Sequence, residues 1–340
     1  MSSSTLLPPY TYVYQSIKGI KEYIDFKYSP DWVSIYTLFM ISYTIPSVIV
    51  FVRILVFYFV NSGQIKKTGL RMEIFQSFLL MQFWSILWLI GDFTMFRIPY
   101  TSILTSYCAS ENPQFLMKAV VFFYHFGAYA AQLFTVMFCG MRVAIMYSAG
   151  RRKTEKIVQF VPFFIISISF LLSFPHFLSD GMCIQMSVPY PFGSILIISH
   201  FHYYNLELMV LLNLSYTASV TTCIVVLNYF MMQKIKERKM LFSSQTSSQS
   251  NRIEKTLTTT MIILMIPSML ILLVGIGELF HFEVLSYILS IRPLFLDARV
   301  HIVTCYFYLT HPVFKKEKIA MVAQASITHN FSLATLKTVE

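Results

Sequence analysis

Asp92, Arg142, Arg292, Asp297, Arg299 and His301 all stand inside long apolar runs of the sequence. An ionisable group in hydrocarbon costs from about 2.5 to more than 10 kcal/mol at mid-bilayer, so each needs a counter-charge, water or a function. Two kinds of chemistry are open to such a set: ion pairing between helices, or recognition of a polar ligand. Asp297 lies five residues after Arg292 and two before Arg299, so on one helix it cannot share a face with both. At least one of these arginines needs a partner on another helix, or water. Asp92 is a candidate partner for Arg292. It falls 20 residues into its own run, about 30 Å along at 1.5 Å per residue, where it either faces a cavity or caps the helix at the headgroups. His301 can titrate near neutral pH or serve as a hydrogen-bonding spacer.

A second group is aromatic. In "VVFFYHFGAYAAQLF", Tyr124, His125, Ala128 and Gln132 fall near one helical face, and Gly127, Ala128, Ala130 and Ala131 permit close packing. With Trp84 and Trp88 on the preceding run, and with Asp92 and Arg292, they form either a pocket for a small molecule or a packing seam. No phosphate-binding loop, dinucleotide fingerprint, zinc-protease motif or nucleophile elbow is present. The polar cluster Asp297, Arg299 and His301 lacks a nucleophile. No enzyme activity, cofactor or metal is expected.

The elements that must carry these residues follow from composition. Hydrophobic residues make up 56% of 340 and charged residues 12%, against about 25% charged in a soluble globule. The mean hydropathy is positive, and 32 Phe and 21 Tyr suit lipid-facing helices and bilayer interfaces. Seven apolar windows long enough to span a bilayer cover 33–60, 72–96, 115–147, 157–178, 206–232, 257–280 and 285–310. The fold class expected is an all-α membrane protein, a seven-helix bundle between an N-terminal segment, 1–32, and a tail, 311–340. The first and third windows are long enough to require tilt or extension past the membrane. The seventh is the most polar.

The net charge of +10 is a topology signal rather than a mark of nucleic-acid binding. Seventeen Lys and Arg fall in one set of connections and the tail. Only five fall on the opposite side: Lys18, Lys21, Lys27, Arg97 and Lys118. This bias places the N-terminus outside and the C-terminus in the cytoplasm. The first 32 residues lack a basic start followed by an apolar core, so the first span is expected to act as an uncleaved insertion signal. Cys108 and Cys183 are the two cysteines on the outer side, and in an oxidising compartment they are either a disulfide or two independent thiols. The sequon at Asn213 lies in a span and that at Asn330 in the tail, so neither is expected to be glycosylated. The Ser/Gln-rich 243–251 is expected to be flexible, between helical extensions "QKIKERK" and "NRIEK" of the fifth and sixth spans. Pro267, in "LMIPSML", kinks the sixth span near its middle.

In "CGMRVAIMYSAGRRK", Arg142 lies about 36–41 Å from the outer end of its helix at 1.5 Å per residue. That places it at the cytoplasmic headgroup boundary, with no neighbouring acid, where it snorkels to phosphates or reaches a docked protein.

"IKGIKEYIDFKYSPDW" (17–32), "FCGMRVAIMYS" (138–148) and "LDARVHIVTCYFYLTHPVFKK" (296–316) resemble nematode serpentine chemoreceptors of the Srg superfamily, the first phrase being closest to class U. The resemblance covers nearly the whole chain. It implies a chemosensory G-protein-coupled receptor on the plasma membrane, often displayed on sensory cilia, with a small-molecule ligand and a heterotrimeric G protein as partners and no nucleic acid. Arg142 stands where the rhodopsin-like family carries its Asp-Arg-Tyr arginine. Here Met141 replaces the acid and Val143 the aromatic residue, and the seventh span lacks Asn-Pro-x-x-Tyr. The expected G-protein contact comprises Arg142, Arg151, Arg152, Lys153, Lys234, Lys236, Arg238 and Lys239. The alternatives are a seven-helix ion-channel subunit, which inserts the other way round, and a small-solute transporter, disfavoured by the lack of internal repeats.

Overall fold

The computed structural model describes residues 16–60, 71–110, 114–147, 151–201, 206–241, 248–279, 285–310 and 314. Seven long helices form a bundle. They are α1 (Trp32–Val60), α2 (Met72–Asp92), α3 (Gln114–Tyr147), α4 (Arg151–Leu178), α5 (Leu206–Leu241), α6 (Ser248–Leu279) and α7 (Leu285–Asp297). Two of them continue through π turns. Phe93–Arg97 leads α2 on to Ile98–Tyr100, and Ala298–Ile302 leads α7 on to Val303–Thr310.

Burial is inverted relative to a soluble protein. Asp92, Arg97 and Arg299 are fully buried, while Phe39 and Phe59 on α1 and Phe160, Phe163 and Phe164 on α4 face outward. Apolar surroundings stabilise that arrangement, and helices satisfy their own backbone there. Among the described residues, six helices are long and apolar enough to cross a membrane. The charges of α7 and the π turn after it (Arg292, Asp297 and Arg299) set that segment apart. α5 and α6 continue beyond the apolar windows, α5 through "QKIKERK" to Leu241 and α6 from Ser248 through "NRIEK". The Ser/Gln-rich stretch is partly different from expectation: 248–251 already belong to α6, and 243–247 lie outside the described residues. The Asn330 sequon, residues 1–15 and all of 315–340 also lie outside them.

The central helix is α3, which packs against α2, α4 and α5; α6 joins α5 to α7, and the continuation of α7, Ala298–Thr310, returns to α1. Glycine sets the α2–α3 crossing. A Cβ at Gly127 would stand 3.2 Å from Trp88 Cα, and one at Gly91 would stand 3.1 Å from Tyr124 Cα. The small residues Ala130 and Ala131 are fully buried in the same seam.

One end of the bundle is covered by an antiparallel hairpin, β1 (Asp180–Gln185) and β2 (Ile195–His200), where the sequence suggested only a loop. Cys183 in β1 is disulfide-bonded to Cys108 in the short helix Thr105–Ala109. The Ile17 N–H donates to the Cys183 carbonyl at 3.0 Å, so the N-terminal segment extends the sheet edge. Gly181 presses β1 onto the start of α3: a Cβ there would meet Met117 C at 2.8 Å and Lys118 N at 2.9 Å. Tyr190, between the strands, packs on Tyr100 and Trp32, ring centres 4.8 and 6.1 Å away.

Candidate functional site

The buried charges meet near the hairpin end. Asp297, the last residue of α7 before its π turn, accepts two hydrogen bonds from Arg97, Nη1 at 2.9 Å and Nη2 at 2.7 Å. Such a forked pair is among the strongest charge-assisted contacts. Arg97 Nε also donates to Asp92 Oδ2 at 2.7 Å. Arg292 Nη1 lies 3.0 Å from Asp92 Oδ1, an ionic contact rather than an aligned hydrogen bond. Arg292 Nη2 donates to the Tyr124 hydroxyl. The Tyr43 hydroxyl donates to Asp297 Oδ2. His301 Nε2 stands 3.8 Å from Asp297 Oδ1 and 3.3 Å from Thr44 Oγ1. The network therefore joins α1, α2, α3 and α7.

Arg97 is the residue that sequence reasoning misplaced. Counted among outer-loop charges, it is fully buried and sits at the centre of the network. On a regular α-helix, residues five apart point about 140° away from each other. The π turn Phe93–Arg97 widens the helix, so five residues bring the chain back toward the face of Asp92. An apolar run carries no sign of that turn. Removing Arg97 from the outer tally widens the charge bias between the two sides. Tyr43 and Thr44 were also missed, since a hydroxyl in an apolar run carries no periodic signal.

Beside the network is a cavity of about 280 Å³. Trp88 from α2, Pro267, Leu270 and Val274 from α6, and Ile288, Ile291, Arg292, Phe295 and Leu296 from α7 line it. Of the expected pocket residues, Trp88 and Arg292 line this space, and Asp92 and Tyr124 hold Arg292. The others face elsewhere. Trp84 stacks on Phe134, ring centres 5.8 Å apart. His125 stacks flat on His176 of α4 at 3.5 Å, and His176 Nδ1 lies 2.9 Å from Ser199 Oγ on β2. Ala128 is buried in packing, and Gln132 is buried with its Oε1 unpartnered. Helical spacing put these residues near one face, but α3 touches neighbours on every side, so one wide face meets several helices.

Arg299 is separate from the carboxylates. Its Nη2 donates to the Ala131 carbonyl at 3.0 Å and to Thr135 Oγ1, both on α3. Its guanidinium centre stands 5.3 Å from the Trp88 ring.

Residues 17–317 match the family model described as Serpentine type 7TM GPCR chemoreceptor Sru. The chain belongs to that family. A relative from Caenorhabditis elegans, "Serpentine receptor class U-26", is 26% identical over 268 residues, covering 75% of this chain and 88% of the relative. Sru membership makes the chain a multi-pass serpentine receptor of the chemosensory, G-protein-coupled type, and not one of an enzyme family.

At the other end of this Sru bundle, Arg142 is enclosed by protein. It is 2% exposed, held within the bundle. A count along the helix carries no rotation, and α3 turns this residue inward toward its neighbours, so its guanidinium is enclosed rather than free to snorkel. Nearby, Lys234 on α5 pairs with Glu237 at 2.6 Å and stands 5.1 Å over the Tyr147 ring, while Lys236 is exposed. Arg151, Arg152 and Lys153 lie in the first turn of α4, and Arg238 and Lys239 near the end of α5; their side chains are outside the described residues. Pro267 sits within an unbroken α6, where its missing N–H leaves the Ile263 carbonyl without an intrahelical donor. Pro46, Pro162, Pro175 and Pro293 also interrupt helical hydrogen bonding, in α1, α4 and α7. Among the described residues no group of side chains could hold a metal.

Proposed function

We propose that this Sru chain binds a small molecule in the cavity between α2, α6 and α7 and passes that event to a heterotrimeric G protein at the opposite end of the bundle. The observation that carries the reading is the cavity's position. It touches Arg292, one end of the charge network, and Pro267, the weakest point of α6. A ligand that favours one packing of α6 against α7 shifts the population toward an open cleft at the basic end. The hairpin end faces outward and the basic end faces the cytoplasm, which is the orientation supported by the Lys and Arg bias. The receptor acts at the plasma membrane, on a sensory cilium where the expressing cell has one. Its superfamily placement in Srg rests on the same sequence phrases.

At the cytoplasmic end the start of α4 and the ends of α5 and α6 meet the G protein, and Arg142, enclosed behind them in this structure, reaches it once the cleft opens. Ligand-evoked G-protein activation in transfected cells tests this directly. Arg142→Ala is expected to reduce coupling at least about tenfold, the loss of one charge-assisted contact, while surface display is retained. Unchanged coupling would remove Arg142 from the contact. Leu270→Trp, which fills the cavity from α6, is expected to abolish the response without lowering display.

A further inference from the structure

The walls of the cavity restrict what can occupy it. Pro267, Leu270 and Val274 recur along α6 at steps of three and four, and Ile288, Ile291 and Phe295 along α7 at the same steps. Each set is one helical face, and both sets are apolar. Among the described residues Arg292 is the one charge on the walls, and it is already engaged. Its Nη1 stands 3.0 Å from Asp92 Oδ1, its Nη2 donates to the Tyr124 hydroxyl, and the Phe96 ring centre is 4.5 Å from its guanidinium carbon. An anion would have to compete with the fully buried Asp92 for that guanidinium. A cation would meet no acidic side chain on the walls at all. An ion left uncompensated in such a place is costly, so the walls favour a neutral molecule.

The same residues show on which side the cavity opens. Trp88 and Leu296 are 1% and 3% exposed, whereas Ile291 is 50% exposed. Leu273 on α6 and Tyr287 and Leu294 on α7 are exposed as well, so this edge of the cavity lies among side chains that face hydrocarbon. Toward the hairpin the space is filled. Phe96 and Tyr124 are buried against Arg292. Tyr100 is buried beside Phe96, ring centres 6.1 Å apart, and Tyr190 of the hairpin packs on Tyr100. Ser194 Oγ donates to the Tyr100 carbonyl at 2.7 Å, which ties the hairpin down over this layer.

Size adds the last constraint. An apolar cavity of about 150 Å³ holds benzene, so one of about 280 Å³ has room for a body of roughly ten carbons. We propose that the ligand is a neutral, compact apolar molecule of about that size, which enters from the bilayer through the gap between α6 and α7 at Ile291. The inference rests on the reading of this cavity as the ligand site. Lipid tails are as apolar as these walls, so selection among lipid-dissolved molecules falls on shape and dispersion contact, against Leu270, Val274, Phe295 and Trp88.

The test uses the full chain in phosphatidylcholine nanodiscs, with binding of tritiated probes counted against empty nanodiscs. The probes are menthone, menthanecarboxylate and menthylammonium, which share one compact body and differ in charge. Menthone is expected to bind at least about tenfold more tightly than either ion, and Leu270→Trp to abolish its binding. Ile291→Trp, which narrows the gap, is expected to slow both association and dissociation of menthone about fivefold or more, as a gate does, and Ile291→Ala to speed both. The three-probe comparison on the wild-type chain stands even where a variant folds poorly. Carboxylate binding as tight as that of menthone, and still blocked by Leu270→Trp, would overturn the neutral ligand and leave the cavity as the site. Menthone binding that survives in folded Leu270→Trp would overturn the cavity reading itself. Rates unchanged in both Ile291 variants would overturn the route through the gap. No binding of any probe, as where a lipid chain fills the gap, would overturn the inference, while the signalling response of Leu270→Trp in cells still decides the cavity reading.

Discussion

Arg97 holds two carboxylates at once, Asp92 on its own helix and Asp297 on α7. A buried pair adds little net stability when intact, because desolvation offsets attraction, but removing one partner strands the other at a cost of about 3–5 kcal/mol. Arg97→Leu is therefore expected to lose most of its surface display and to unfold at a markedly lower temperature in detergent. Adding Asp297→Leu is expected to recover part of that loss, since it removes one stranded carboxylate and leaves Asp92 with Arg292. A double variant worse than the single would show that Asp297 does more than neutralise Arg97. Arg97→Lys is not expected to rescue, because one ammonium cannot reproduce the fork on Asp297 and the contact to Asp92.

At the level of elements, the hairpin and the α2–α3 crossing depend on backbones approaching where a methyl group does not fit. Gly181 lies against backbone atoms of Met117 and Lys118, which cannot yield as the tip of a side chain could. Gly181→Ala is expected to destabilise by about 1–3 kcal/mol through overpacking, visible as a lower unfolding temperature. An unchanged temperature would mean the hairpin can lift from α3 at no cost. The two π turns belong to the same scale. Each inserts one residue into a helix, and each lies beside the charge network, so the register of the charged residues depends on it. Deleting Thr94, which would convert the α2 turn to regular α-helix, is expected to rotate Arg97 off Asp92 and to reproduce the Arg97→Leu defect. Wild-type display in the deletion would show that Arg97 reaches Asp92 without the π turn.

For the whole molecule, the disulfide and the orientation give the broadest tests. Cys108→Ser and Cys183→Ser are expected to lower surface display equally, by the roughly 2–5 kcal/mol that a bridge contributes in a secreted-side domain. Unequal effects would speak against their acting as a pair. Antibody access to tags at the two termini of intact cells is expected at the N-terminus alone, and access at the C-terminus would invert the bundle and its G-protein face. The sequence by itself determined seven apolar helices, the charge asymmetry between their connections and the two cysteines on one side, because lipid imposes those features on composition and length. It also made Asp92 and Arg292 candidates for each other. Only the tertiary structure decided that Arg97 is buried, that Asp297 pairs with α2, that Arg142 turns inward and that His125 stacks on His176. Those outcomes depend on helix rotation and on which helices are neighbours. A π turn or a glycine crossing sets both, and neither leaves a periodic trace in the sequence.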